Sequence, residues 1–269
     1  MQNLSIGGSP PQPAWRDPRT VLITGATGGI GSALAHEYAG AGRTLILHGR
    51  DTTRLADVAR SCEARGARVV KLTFDLRDAD TTVRELRLVS QTEAIDLAIV
   101  NAGVTRMIGA GEEAESWEVA REVLAVNLDG ALATVAGVLP EMRRRACGQI
   151  ALMSSLAGLY GIPQTPTYSA SKAALKAYGE ALRAWLAPQG VAVSVVLPGF
   201  VRTHMSEQFS GPKPAIIQAE RAAQLIREGL LRNRARIAFP RHLAWGMLWL
   251  SVLPSPLSQR IIQSLGYRA

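Results

Sequence analysis

From residue 19 onward the chain alternates short apolar runs with longer stretches in which apolar side chains return every three or four positions. Thr20-Val21-Leu22-Ile23-Thr24 is the first short run. Thr44 to His48, Arg68 to Phe74, Asp96 to Val100, Gln149 to Met153, Val191 to Leu197 and Arg236 to Phe239 repeat its character. Short runs of Val, Ile and Leu bounded by Gly, Asp, Asn or Pro read as buried strands. The intervening stretches predict helices over Ser32 to Ala41, Thr52 to Arg65, a polar segment ending near Ser90, and Ala215 to Asn233. A long helix should open at Trp117 behind Ser116 as N-cap and reach about Arg145. Thr165 and Pro166 read as the N-cap and first position of another, which runs through an Ala- and Leu-rich stretch without a breaker to Pro188. Such alternation predicts a doubly wound parallel sheet of about seven strands flanked by helices, with any ligand beyond the carboxyl ends of the strands.

Candidate chemistry falls at those strand ends. After the first strand comes Gly25-Ala26-Thr27-Gly28-Gly29-Ile30-Gly31, then a helix. Glycines at 25, 29 and 31 permit a tight turn, close approach of a pyrophosphate to the backbone, and close helix–strand packing. The helix start adds unpaired N–H groups and the positive end of its dipole. The second strand ends in Gly49-Arg50-Asp51. At this place a carboxylate would suit a ribose 2′-hydroxyl and an arginine a 2′-phosphate, so Arg50 points to NADP(H) over NAD(H). Asp51, able to pair with Arg50 or cap the next helix, keeps NAD(H) open. The third and fourth strands end in Asp75-Leu76 and Asn101-Ala102-Gly103.

Tyr168 and Lys172 lie four apart on one helix and so share a face. A phenol with an ordinary pKa near 10 exchanges protons poorly at neutrality, and an ammonium one turn away is expected to lower that value toward the working range of a general acid/base. Ser154 and Ser155, at the end of the fifth strand, can offer a hydroxyl to the oxygen on which Tyr168 acts. Taken alone, Tyr-x-x-x-Lys is a short pattern that also describes a solvated helix face. Asn127 sits inside the long helix between apolar neighbours, where its poor propensity implies either exposure to water or a polar task.

The ordered set Thr-Gly-x-x-x-Gly-x-Gly, Asp-Leu, Asn-Ala-Gly, Asn, Ser, Tyr-x-x-x-Lys and Pro-Gly-x-x-x-Thr, from about residue 20 to 203, resembles the short-chain dehydrogenase/reductase family. The resemblance implies a single Rossmann-type sheet and hydride exchange between a nicotinamide dinucleotide and a carbonyl or secondary alcohol. It implies Tyr168 as general acid/base, Lys172 lowering its pKa and binding the nicotinamide ribose, Ser155 orienting the substrate oxygen, and Asn127 holding a water in a relay to Lys172. It further places Thr24, Gly25, Gly29, Ile30 and Gly31 at the pyrophosphate, and Arg50, Asp75 and Leu76 at the adenosine. Asn101, Ala102 and Gly103 would lie along the cofactor, and Pro198, Gly199, Val201 and Thr203 at the nicotinamide. Gly28 stands where relatives preferring NADP often carry a basic residue, and Val100 where many have a second Asn. A cofactor-sensing protein without turnover is a competing reading, disfavoured because both Tyr168 and Lys172 are present; epimerisation or dehydration on the same scaffold is another. A homodimer or homotetramer built on the helices carrying Asn127 and Tyr168 is also implied.

Composition adds less. A chain of 269 residues suffices for one large domain, and the net charge of +8 is carried by dispersed Arg and not by the basic stripe with aromatics that nucleic-acid binding requires. Two widely spaced Cys and four unclustered His give no metal-ligand pattern, and free thiols fit a cytoplasmic setting. Residues 1–18 read as a loosely ordered extension without the order of a signal peptide, residues 19–240 as the catalytic domain, and no run approaches the roughly 20 apolar residues of a membrane span. Val104 to Glu113, Leu156 to Thr165 and Phe200 to Pro214 should surround the substrate, with the stretch from Val201 to Pro214 a candidate lid. Their mixed to apolar character suggests an apolar ketone or alcohol. Residues 241–269 are apolar and too short to span a bilayer. Two readings stand for them: packing on the domain or at a subunit interface, or a membrane-surface contact through 241–265 with Arg241 and Arg260 at the headgroups.

Overall fold

Strands buried on both sides must be covered twice, and the computed structural model, which describes residues 17–108, 114–209 and 211–267, shows how. In chain order the elements are β1 (Thr20–Ile23), α1 (Gly29–Tyr38), β2 (Thr44–His48), α2 (Thr52–Glu63), β3 (Arg68–Leu72), α3 (Ala79–Thr92) and β4 (Leu97–Val100). Then come α4 (Trp117–Leu124), a π-helical turn (Ala125–Asp129), α5 (Gly130–Arg144), β5 (Gly148–Met153), α6 (Pro166–Leu186) and β6 (Val191–Pro198). The chain closes with α7 (His204–Glu207), α8 (Ala219–Leu231), β7 (Arg236–Phe239), α9 (Arg241–Val252) and α10 (Ser255–Ser264). The seven strands form one parallel sheet in the order β3-β2-β1-β4-β5-β6-β7. Residues of β1 divide by the two-residue period of a strand: Val21 and Ile23 join a core with Leu34 of α1 and Ile226 of α8, while Leu22 joins one with Leu86 of α3, Val135 of α5 and Leu182 of α6.

Element ends shift by a few residues from the sequence reading, and three differences bear on the fold. The first helix begins at Gly29, not Ser32, because the glycine turn is complete by Gly28. The helix expected from Ala215 begins at Ala219: Ala215 takes a left-handed φ of 51°, and Ile217 bridges to Val201. The long helix from Trp117 is not uniform; Gly130 N bonds back to Ala125 O across five residues, widening the turn that holds Asn127. Together these helical segments are apolar and long enough by composition to cross a membrane, but 61% of that window is buried inside the fold. Of the expected N-terminal extension only residues 17 and 18 lie within the described residues, as do 104–108 of the substrate-side segment 104–113 and all but 210 of the candidate lid.

Candidate active site

The strand order reverses between β1 and β4, and a crevice at such a switch point is where an α/β sheet binds ligands. Asn101 ties the two strand ends together: its Nδ2 donates to Thr24 O at 3.0 Å and Gly25 O at 3.2 Å. Thr24 Oγ1 accepts from Asn101 N at 3.0 Å and Ala102 N at 3.1 Å. Gly25 has φ +65°, and a Cβ there would lie 2.8 Å from Ala102 Cα; one at Gly31 would lie 2.1 Å from Gly25 O. Gly28, at the N-cap of α1, offers no side chain to that helix start, so the first N–H groups around Gly29 and Ile30 are uncapped by any side chain.

At the ends of β2 and β3 the charges are sorted. Asp51 caps α2, accepting from Arg54 N at 3.0 Å, so it does not take up Arg50. A Cβ at Gly49 would stand 2.8 Å from Thr27 Cγ2, so a side chain at that position would require Thr27 to shift. Asp75 is bound by Arg77, which donates Nε to it at 2.9 Å, and this pairing, with Arg50 contributing at longer range, holds its carboxyl below the usual range. Arg77 was not singled out from the sequence; its place two residues after an acid at a strand end was the available signal. Leu76 is buried, and the buried ring of His48 meets Phe74 O at 2.8 Å beneath the cluster.

The third group gathers where β5 meets α6. Ser155, beyond the end of β5, lies near enough to Tyr168 to lower its phenol, and its Oγ accepts from Ala157 N at 3.1 Å. Ser154 is otherwise engaged, donating its Oγ to Lys172 O at 2.7 Å. Lys172 is buried, with Nζ 5.6 Å from the centre of the Tyr168 ring and donating to Met153 O at 2.8 Å. Gly103 is close by: a Cβ on it would meet Asn127 Oδ1 at 3.2 Å and Lys172 Nζ at 3.3 Å. Asn127 is fully buried inside the π turn and pins the loop after β4, accepting from Val104 N at 2.7 Å and donating to Val104 O at 2.9 Å and Ser171 Oγ at 3.1 Å. Its side-chain amide thus has a structural task, one of the polar tasks expected of an Asn inside a helix.

Electrostatics correct a second expectation. Loss of solvent raises the Tyr168 phenol, an effect the nearby Ser155 hydroxyl only partly opposes. The same burial lowers Lys172 from 10.5 to about 8. Desolvation of both groups outweighs the simple attraction inferred from their helical spacing. Thr165 stands at the N-cap of α6 without bonding it by its side chain. Glu115 does that work, accepting from Thr167 N at 3.1 Å and from Thr167 Oγ1.

Beyond β6, Gly199 N bonds Phe239 O at 2.7 Å, and Val201 is buried. Pro198 O lies 3.5 Å from Ser155 Oγ. Thr203 caps α7 through Ser206 N at 3.3 Å, and its methyl fills the space beside Gly29, where a Cβ would come within 2.4 Å. The structure therefore brings Thr203 against the glycine turn. Phe200, Phe209 and Tyr267 stack in sequence, at 5.1 and 6.3 Å between ring centres. A cleft of about 600 Å³ lies between the turn after Ser155 and α10, with Leu159, Tyr160, Ile162 and Ile262 on its walls.

Comparison with known proteins bears on this constellation. Residues 19–213 match the family model described as short chain dehydrogenase. The chain is 35% identical over 240 residues to an uncharacterized oxidoreductase of Myxococcus xanthus, covering 89% of this chain and 94% of that one. Among solved structures it is similar to a short-chain dehydrogenase from Sphingobium yanoikuyae in complex with NADPH, with TM-score 0.75, 27% identity, and 91% and 95% of the two chains covered. A short chain dehydrogenase/reductase from Burkholderia phymatum in complex with NAD shares the fold, with TM-score 0.77, 24% identity, and 86% and 92% covered.

Proposed function

The chain belongs to the short-chain dehydrogenase/reductase family of oxidoreductases, and from that premise we propose that it interconverts a carbonyl and a secondary alcohol with NADP(H), Tyr168 acting as general acid/base. One observation carries this reading: the Lys172 ammonium is buried 5.6 Å from the centre of the Tyr168 ring, and the Ser155 hydroxyl acts on the same phenol. Fit to a dinucleotide is argued from the glycine turn, where side chains at 25, 29 and 31 would collide with Ala102, Thr203 and Gly25 respectively. Backbone held this close, ending on a helix start without a side-chain cap, suits a pyrophosphate. Gly25, Gly29, Ile30 and Gly31 would hold it, with Asp75 and Leu76 at the adenine and Lys172 and Thr203 nearer the nicotinamide. When bound, that ring supplies or accepts the hydride.

The chain's own residues then handle position and the proton. Tyr168 is protonated at neutrality and is the proton donor to a carbonyl oxygen held by Ser155; burial works against release of that proton, so a charge that stabilises the phenolate is needed. The phenolate left behind gains from the Lys172 charge, which is mostly present at pH 7 because its pKa is about 8. Oxidation runs the same transfer backward and needs the phenolate first. Preference for the phosphorylated dinucleotide is supported by Arg50, which has no ion pair among the described residues, and by Gly49 standing where an acid would face a ribose 2′-hydroxyl. The mixed to apolar stretches expected around the substrate favour an apolar ketone or alcohol, and the neighbouring cleft offers Leu159, Ile162 and Ile262 beside Gln259 and Gln263.

Two variants test the reading. Tyr168→Phe should bind the dinucleotide as the parent does and lose about 10²-fold or more in turnover of ketones, followed by nicotinamide absorbance. Near-parent turnover on a verified substrate sinks the assignment. Arg50→Ala should weaken NADPH binding about tenfold in a fluorescence titration and leave NADH unchanged, since only the 2′-phosphate offers a charge to pair. Equal loss of both removes the cofactor preference.

A further inference from the structure

Helix α9 lies at the surface and is nevertheless apolar around its circumference. Ala244 and Leu250 face inward and are buried. On the opposite side Trp245, Trp249 and Val252, spaced i, i+4, i+7, are 61, 65 and 71% exposed. Leu257 in α10 and Leu265 just after it are exposed as well. Of the eight large hydrophobic side chains exposed among the described residues, these make five. A surface helix ordinarily turns a polar face to water, and clustered exposed aromatics mark a contact.

Charge identifies the partner. After Glu228 the sequence carries six arginines (Arg232, Arg234, Arg236, Arg241, Arg260 and Arg268) and no acid. Arg236 pairs with Glu180, whereas Arg241 at the start of α9 and Arg260 within α10 are exposed and have no ion pair among the described residues. We propose that α9 and α10 seat on an anionic lipid bilayer, with Trp245 and Trp249 at the headgroup–acyl boundary and Arg241 and Arg260 among the headgroups. A second copy of the chain fits this face less well, because a self-complementary contact would bring these same positive charges together. A nucleic acid fits less well too: Val252, Leu257 and Leu265 present aliphatic area on which bases do not stack. The inference is independent of which carbonyl compound the enzyme turns over.

Flotation of the full chain with vesicles of phosphatidylcholine, alone or mixed with phosphatidylglycerol, tests it. Binding should require the anionic lipid and weaken strongly between about 50 mM and about 500 mM salt, as the screening length falls from about 14 to about 4 Å. The pair Arg241→Gln and Arg260→Gln should lose about 25-fold, roughly fivefold for each charge at the surface. The pair Trp245→Ser and Trp249→Ser should lose about tenfold or more while keeping the parent's circular dichroism and its turnover, since both rings are mostly exposed. No binding to anionic vesicles at low salt overturns the proposal, as does binding that survives loss of both Trp. A fall in solution mass of the Trp variant without vesicle binding by the parent assigns the face to a second copy instead. Trp-dependent binding of a single-stranded oligonucleotide without vesicle binding assigns it to nucleic acid.

Discussion

Replacing Glu115 with alanine perturbs the start of the catalytic helix without touching a reacting group. Its carboxylate reaches across 52 residues of sequence to accept Thr167 N and Thr167 Oγ1, one position before Tyr168. Thr165, at the N-cap, makes no side-chain bond to the helix and cannot take over. Losing a cap costs about 1 kcal/mol, and losing a negative charge at a helix N-terminus costs about 0.3–1 kcal/mol more. The bond to the Thr167 hydroxyl adds about 0.5–1 kcal/mol. Partial solvent screening trims the charge contribution, so the sum is about 2 kcal/mol. At roughly 2–4 °C per kcal/mol for a domain of this size, the melting midpoint should fall by about 4–8 °C. Glu115→Gln keeps an acceptor but not the charge, and should fall by about half as much. Chemical denaturation and thermal melts followed by circular dichroism read both. Because the first turn carries Tyr168, kcat should drop several-fold more in the alanine variant than dinucleotide affinity does. A Glu115→Ala protein within about 0.5 kcal/mol of its parent, with unchanged kcat, refutes the idea that this carboxylate holds the helix start.

Two further outcomes follow from the same geometry. Lys172 is lowered to about 8 from 10.5, so between those values the unfolded chain binds the extra proton and stability rises with pH on this residue's account. The cost of the buried ammonium, on the order of 3 kcal/mol, is present in full below pH 8. The parent should therefore gain unfolding free energy relative to Lys172→Met as pH climbs from about 8 to about 10; parallel curves contradict the assignment. Gly31→Ala places a Cβ 2.1 Å from Gly25 O and 2.8 Å from Asn101 Nδ2, both fixed groups at the switch point. Dinucleotide affinity and stability should fall together, the latter by about 2 kcal/mol or more, whereas Gly246→Ala, which meets nothing within 4 Å, serves as the matched control.

The order of the seven strands and of the helices between them was largely legible from local pattern, whereas α7, α9 and α10 were not assigned as helices. Runs such as Val191 to Leu197 are too apolar to be anything but covered strands, and Thr20 to Gly31 states its strand, turn and helix in a dozen residues. Tyr168 and Lys172 share a face because the helical period requires it. What local pattern does not contain is the identity of distant partners and the loss of solvent around them. Glu115 caps a helix that Thr165 was expected to cap, Arg77 takes up Asp75, and the π turn fixes Asn127 against the loop after β4. Burial likewise reverses the direction expected for the Tyr168 phenol. Hydrogen-bond choice and desolvation depend on which segments meet in space. Sequence therefore determined the strands, helices and reactive residue types, while tertiary packing decided who holds them and how readily each gives up its proton.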